Sequence, residues 1–458
     1  MSAALNANGR WLSIIGIGED GLAGLSDAAK TLIAQAALVV GGHRHLDLVG
    51  AMVKGETMAW PSPPQAGFPA ILERRGRPVA VIATGDPFFY GIGSLLAREV
   101  PADEITCLPG VSAFSLAASR LGWALQDCAL VTLHGRALER ILPALQPRSR
   151  ALALSWDGTT PAKLAELLVR YGFGDTRMTV CEAMGGPGEC LRSVAARDFD
   201  LTDIVPLNLI ALDIPNVRGA RAIPLTPGLP DDWFEHDGQI TKRDIRAVTL
   251  SALAPRRGEL LWDIGAGSGS IGIEWMLADS ANRAIAIERD ETRAGRIARN
   301  VASLGVPDLK IVQGAAPEAL AGLPTPDAVF IGGGSTREGV IDAAWAALPS
   351  GGRLVVNGVT IETQAELTRW FKAQGGELTQ IQISRADPVG GFHGMRPALP
   401  VTQWSVVKPY SGGAETSPSP NPPPSRGRAS NGDPSSPSPL MGEGWGEGDG
   451  AARDGGRR

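Results

Sequence analysis

An apolar run ends on Asp263 and is followed at once by glycine at alternate positions, Gly265, Gly267 and Gly269, with Ala266 and Ser268 between them. Glycine lets the main chain turn sharply and leaves room for a ligand where a Cβ would collide. One strand further on, Ile285, Ala286 and Ile287 lead to Glu288, at the strand end where a nucleoside-binding α/β fold sets a carboxylate against ribose hydroxyls. Together these residues point to a bound nucleoside.

The third glycine narrows the chemistry. A dinucleotide fingerprint reads G-x-G-x-x-G, whereas here position 270 is serine and the spacing is G-x-G-x-G, the form expected where a sulfonium nucleoside donates a methyl group. The first half carries three further turns at strand ends: Gly16 and Gly18; Gly85, Asp86 and Pro87; and Gly110-Val111 before Ser112, which is placed to cap a helix. Each alone is an ordinary strand-to-helix turn. The histidines His43, His45, His134, His236 and His393 form no pair at metal-ligand spacing, so no metal is expected, and His45 and His134 read as hydrogen-bonded framework residues. The four cysteines, Cys107, Cys128, Cys181 and Cys190, form no C-x-x-C pair and read as buried thiols of a reducing compartment.

The elements that must hold these residues alternate along the chain. Strands are predicted over 11–17, 37–40, 78–83, 129–133, 151–156, 178–182 and 207–212, with helical segments between them, the pattern of an α/β fold. A second series covers 259–264, 283–288, 309–312, 328–331, 353–357, 378–383 and 403–407, a seven-strand pattern whose last two strands are joined only by a loop. Between the series, Pro215, Pro224, Pro227, Gly228 and Pro230 mark a stiff boundary. The expected organisation is therefore a domain over 10–214, a linker over 215–230, a second domain over 231–410 and a disordered tail over 411–458. In that tail 27 of 48 residues are Gly, Pro or Ser, which leaves no apolar pattern to offset the entropy of ordering.

Composition excludes several classes. With 43% hydrophobic and 20% charged residues the body of the chain should fold, and 458 residues exceed what one core usually organises. A net charge of -5 without basic runs argues against nucleic acid as a partner. No apolar stretch approaches a membrane span and the start has no signal-like core, so no membrane association and a cytoplasmic location are expected.

The residues of the second half, 238–247 with Thr241, the turn at 265–269, Glu288, the 327–333 segment and Asn357-Gly358-Val359-Thr360, resemble the decarboxylating precorrin methyltransferase domain. Those of the first half, with Arg44-His45-Leu46 and Leu133-His134-Gly135-Arg136 added, resemble the tetrapyrrole methylase superfamily and its C5-methylating precorrin branch. Both together resemble the family of fused precorrin C5,15-methyltransferases. The resemblance implies a two-lobed first domain and a Rossmann-like second domain, each holding S-adenosyl-L-methionine. It also implies methylation of precorrin-6Y at ring carbons 5 and 15, loss of the ring carbon 12 acetate carboxyl as carbon dioxide, and a place in cobalamin biosynthesis.

By that resemblance the donor lies against Gly16, Gly18, Gly85, Asp86, Pro87 and Ser112 in the first domain. In the second it lies against Thr241, Asp263, Gly265, Ala266, Gly267, Ser268, Gly269, Glu288, Ala315 and Ala316. The chain departs from the family twice: Ala315 stands where an aspartate is usual, and Glu19-Asp20 follows Gly18 where Pro-Gly is common. The partners expected are a small-molecule tetrapyrrole and further copies of the chain. Its carboxylates call for arginines, with Arg243, Arg246, Arg337, Arg385 and Arg396 as candidates in the second domain. Two other readings stay open on the residues alone. One keeps the donor with another acceptor, such as a different tetrapyrrole, RNA or protein; the other is a nicotinamide-dependent oxidoreductase or a nucleotide-binding module.

Overall fold

Residues 9–410 are described by a computed structural model; the expected disordered tail, 411–458, lies outside the described residues. Nineteen strands are found there, in four sheets. The first sheet is all parallel, in the order β3 (Glu56–Ala59), β2 (Leu38–Gly41), β4 (Val79–Thr84), β1 (Leu12–Ile17) and β5 (Ile105–Leu108). Strand β1 reads Leu-Ser-Ile-Ile-Gly-Ile and is buried throughout, as a parallel strand covered on both faces must be. Helices Asp27–Gln35, capped by Ser26, and His43–Val49 follow β1 and β2.

The second sheet is mixed, in the order β6 (Cys128–Thr132), β7 (Ser149–Leu154), β10 (Asn208–Ile214), β8 (Arg177–Glu182) and β9 (Cys190–Ala195). The first half is therefore two α/β lobes. Strands β3, β5 and β9 are additions to the sequence reading. Two of them are four residues long and β9 is a largely exposed edge, so none offers the apolar run that marks a central strand.

The third sheet has seven strands: β13 (Lys310–Gln313), β12 (Arg283–Glu288), β11 (Leu260–Ile264), β14 (Ala328–Ile331), β15 (Arg353–Gly358), β19 (Val401–Val407) and β16 (Glu377–Ile381). The first five are parallel, while β19 runs antiparallel to both its neighbours. The expected plain loop between the last two strands is corrected: it holds a two-stranded ribbon, β17 (Ser384–Val389) and β18 (Phe392–Pro397), almost wholly exposed and, among the described residues, paired only with itself.

The stretch 215–230 has neither helix nor strand, yet it is fastened at two points. Ile223 and Leu229 are buried, and the Gly228 and Leu229 N–H groups donate to the Glu274 carboxylate at 2.6 and 3.0 Å. One apolar cluster runs from Leu142, Leu168 and Ile210 in the first half to Leu250, Leu304 and Val355 in the second. Polar contacts cross the same seam: the Tyr171 hydroxyl donates to the Ser303 carbonyl at 3.1 Å, and Arg140 pairs with Asp308.

Candidate active sites

The seven-stranded sheet reverses its strand order between β11 and β14, and the crevice outside the carboxyl ends there is where an open α/β sheet binds ligands. A cavity of about 910 Å³ occupies that position. Its wall includes Thr241, Gly265, Ala266, Gly267, Glu288, Ala315 and Ala316. Gly265 has φ +69 and a Cβ there would lie 2.7 Å from the Gly333 carbonyl oxygen, so only glycine lets the turn pass under the 332–334 loop. The Glu288 carboxylate accepts from the N–H groups of Gly267 at 2.9 Å and Asp290 at 3.0 Å, which fixes it at the mouth of the turn.

Asp263, Ser268 and Gly269 are not on that wall. Asp263 is buried behind it, one oxygen accepting from the Gly272 N–H at 3.0 Å and the other, among the described residues, without a hydrogen-bond partner. Burial pushes its carboxyl up to about 7; the Gly272 N–H opposes the shift and the Glu288 charge adds to it. The Ser268 carbonyl accepts from Asn300 Nδ2 at 2.9 Å, and Asn300 also bonds the main chain of Glu235, so helix Glu291–Ser303 grips the turn from below. Gly269 opens helix Ser270–Ala278 with φ +75, and a Cβ would meet Ile297 at 2.9 Å.

The expected arginines divide. Arg385 and Arg337 reach the cavity wall, held by Asp244 and Glu318, and Arg396 pairs with Asp387 on the exposed ribbon. Arg246 is corrected. It is fully buried, paired with Glu274 and Asp231, and donates to the carbonyls of Leu229 and Thr241. A guanidinium without solvent access cannot meet a substrate carboxylate; it holds the loop that carries Thr241. Lys242 and Arg289, from the motifs around Thr241 and Glu288, also line the cavity, as does Leu399, which no motif contains. Asn357 lies on the same wall; its Nδ2 donates to Thr249 Oγ1 at 2.8 Å and its Oδ1 accepts from Gln403 at 2.9 Å, an arrangement that fixes its amide there.

In the first half three turns meet at the carboxyl edge of the parallel sheet. The Gly85 N–H donates to Ile17 at 2.9 Å and the Gly110 N–H to Gly85 at 3.0 Å. A Cβ on Gly16 would sit 1.9 Å from the Gly85 oxygen, so the close approach depends on glycine. Asp86 accepts from the Phe88 N–H at 2.8 Å, and Pro87 is buried. Ser112 caps helix Ala113–Leu121 by accepting from the Ser115 N–H at 3.1 Å. After Gly18, the Glu19 side chain pairs with Arg44 and the Asp20 side chain folds back beside Gly18 and Gly24, so the departing pair is absorbed locally.

Thr84, which ends β4 beside Gly85, was not singled out in the sequence. His45 Nδ1 accepts from the Gly42 N–H at 3.3 Å, which leaves the proton on Nε2 to be donated to Thr84 Oγ1 at 2.8 Å. Arg44 donates to the same oxygen at 2.9 Å and lies 3.1 Å from His45 Nε2, so the three side chains converge on Thr84 Oγ1. Burial, with Arg44 repulsion second, lowers the His45 pKa to about 4 and keeps the ring neutral. His45 is thus a hydrogen-bonded framework residue, while His134 is exposed. The cysteines are all free, but only Cys181 is buried, its thiol pushed up to about 12 by that burial; Cys190 is exposed. Among the described residues no helix is long and apolar enough to cross a membrane.

Comparison with known proteins follows the same division. Residues 12–199 match the tetrapyrrole (corrin/porphyrin) methylases, and residues 232–408 match the precorrin methyltransferase domain. A precorrin-6Y C(5,15)-methyltransferase [decarboxylating] from Sinorhizobium sp is 56% identical over 87% of this chain and 96% of its own length. One of the same name from Mycobacterium tuberculosis (strain CDC 1551 / Oshkosh) is 42% identical over 86% of this chain and 99% of its own length. A probable cobalt-precorrin-6B C(15)-methyltransferase (decarboxylating) from Pyrobaculum calidifontis is 35% identical over 38% of this chain and 93% of its own length. Two glycine-built clefts on unlike sheets, with relatives that span nearly their whole length, identify the chain as a member of the decarboxylating precorrin-6Y C(5,15)-methyltransferase family.

Proposed function

We propose that the chain methylates precorrin-6Y at ring carbons 5 and 15 with S-adenosyl-L-methionine and decarboxylates the acetate on ring carbon 12, giving precorrin-8X in cobalamin biosynthesis. The reading rests above all on one observation: the glycine turn and Glu288 share a wall with cationic and apolar residues in a single large cavity. The C15 step and the decarboxylation are assigned to the second half and the C5 step to the first. The Pyrobaculum relative, named for the C15 step and the decarboxylation alone, supports this, since it matches a length comparable with the second half.

The residues suit the donor. Gly265 and Gly267 leave the space a side chain would fill, Glu288 offers a carboxylate for ribose hydroxyls, and Thr241, Ala315 and Ala316 form further wall. Asp263, Ser268 and Gly269 keep the turn in shape from behind. Gly16, Gly18, Gly85, Asp86, Pro87 and Ser112 form the corresponding cradle in the first half. Bound there, the donor supplies an activated methyl group. An electron-rich ring carbon needs no prior deprotonation to attack it; the methylated carbon then sheds its own proton to solvent as the thioether leaves, so the protein's main contribution is alignment. Arg385, Lys242 and Arg289 suit the carboxylates of the macrocycle. The four unpaired cysteines fit a reducing cytoplasm.

The test uses full-length variants given precorrin-6Y and methyl donor, with product mass and carbon dioxide measured. Gly265→Ala, whose Cβ would collide with the Gly333 carbonyl, should abolish carbon dioxide release and one methyl gain. Gly85→Ala should leave carbon dioxide release intact. Release of carbon dioxide by Gly265→Ala at the wild-type rate would overturn the assignment.

A further inference from the structure

A second cleft, of about 590 Å³, lies where the two halves meet. The first half contributes Tyr90, Arg136 and Arg140; the second contributes Arg283, Lys310 and Asp308. Four cations thus face one carboxylate in a chain whose net charge is -5. Asp308 is already paired with Arg140, and among the described residues no carboxylate lies within ion-pair distance of Arg136, Arg283 or Lys310. Burial, with Arg136 repulsion second, holds the Arg140 guanidinium below its usual range. Four cations kept together with a single counter-charge favour an anionic ligand.

The geometry says which site this cleft serves. Arg283 and Lys310 begin β12 and β13, at the amino edge of the seven-stranded sheet, whereas the large cavity lies at the carboxyl edge. The cleft is therefore no extension of that cavity. Tyr90, by contrast, closely follows Gly85-Asp86-Pro87 in the first-half cradle. It is held in the left-handed region at φ 57 by its hydroxyl, which donates to the Leu130 carbonyl at 3.2 Å, and by stacking on Phe89 with ring centroids 4.9 Å apart. A bulky residue kept in that conformation at a cleft is a feature of ligand sites.

We infer that this cleft receives peripheral carboxylates of the tetrapyrrole methylated at the first-half site, so that the second half lends Arg283 and Lys310 to its partner's reaction. The inference rests on the proposed substrate class. It is tested with full-length Arg283→Gln/Lys310→Gln, both exposed positions outside any ion pair among the described residues, against a control of equal charge change, Arg98→Gln/Lys372→Gln. Binding of uroporphyrin, a polycarboxylate porphyrin, is read by fluorescence quenching, and methylation at ring carbon 5 is followed on precorrin-6Y by product mass. The cleft variant should raise Kd and KM about tenfold, the worth of two partly exposed ion pairs, with kcat and carbon dioxide release from precorrin-6Y unchanged. Equal Kd and KM in the cleft variant and wild type, or an equal rise in the control, would overturn the inference. If wild type itself fails to methylate ring carbon 5 of precorrin-6Y, the fault lies instead with the proposed function.

Discussion

His45 does not take up a proton in the range usual for histidine, because burial and Arg44 both oppose the charged ring. In the unfolded chain it protonates near 6.5, in the folded chain only near 4. The unfolded state binds more protons between these values, so this group's contribution to stability is complete above about 6.5 and is lost as pH falls towards 4. Denaturant midpoints measured from pH 7 to pH 4 should therefore fall less steeply for His45→Gln than for wild type. Equal slopes would show that the ring is not held neutral. At this scale the legible residues were those whose type alone carries meaning. Gly265 and Gly267 occur where a positive φ is required, and Glu288 stands at a strand end. Thr84 was not legible, since a β-branched residue ending a strand signals nothing until His45 and Arg44, some 40 positions away, are seen to bond it. Arg246 was misread for the same reason: its partner Glu274 lies 28 residues on, and no local pattern reveals that the charge is buried. Its loss would strand Glu274 in the interior, at a cost of about 3–5 kcal/mol.

Among the elements, central strands were the easiest to find. Strands β1, β4, β11 and β14 are apolar runs buried on both faces, which is how parallel strands must be written. Edges and ribbons obey weaker rules, and β17–β18, with Phe392 82% exposed, shows none of the burial that makes a strand recognisable. Yet Ile383 and Ala398, joined by an N–H to carbonyl bond of 2.9 Å, bring both its ends to the large cavity, and Arg385 on the ribbon also lines the wall. Replacing residues 384–397 by a short glycine-serine turn should leave the seven-stranded sheet folded, with Tm changed by only a few degrees, because the ribbon pairs with no other strand among the described residues. Carbon dioxide release should nevertheless fall at least tenfold through loss of that wall. A variant with full decarboxylation would assign the ribbon no part in the site.

Taken whole, the chain reads as two halves in sequence but is bound by one continuous apolar cluster. The alternation of strands and helices announced both halves; the seam between them was hidden, because an interface residue such as Leu142 or Leu304 looks like any core leucine until its neighbours are known. Residues 224–227, with Leu225 88% exposed, form a surface loop between two anchored points, Ile223 and Leu229. Continuity of the backbone there contributes little once the chain has folded. Limited proteolysis in that loop should yield two fragments that elute together on gel filtration and keep both methylations, whereas fragments that separate would show the seam to be weak. A single nick would then turn one polypeptide into a working heterodimer, so genes encoding the two pieces separately, if expressed together, should serve as well as the fused one.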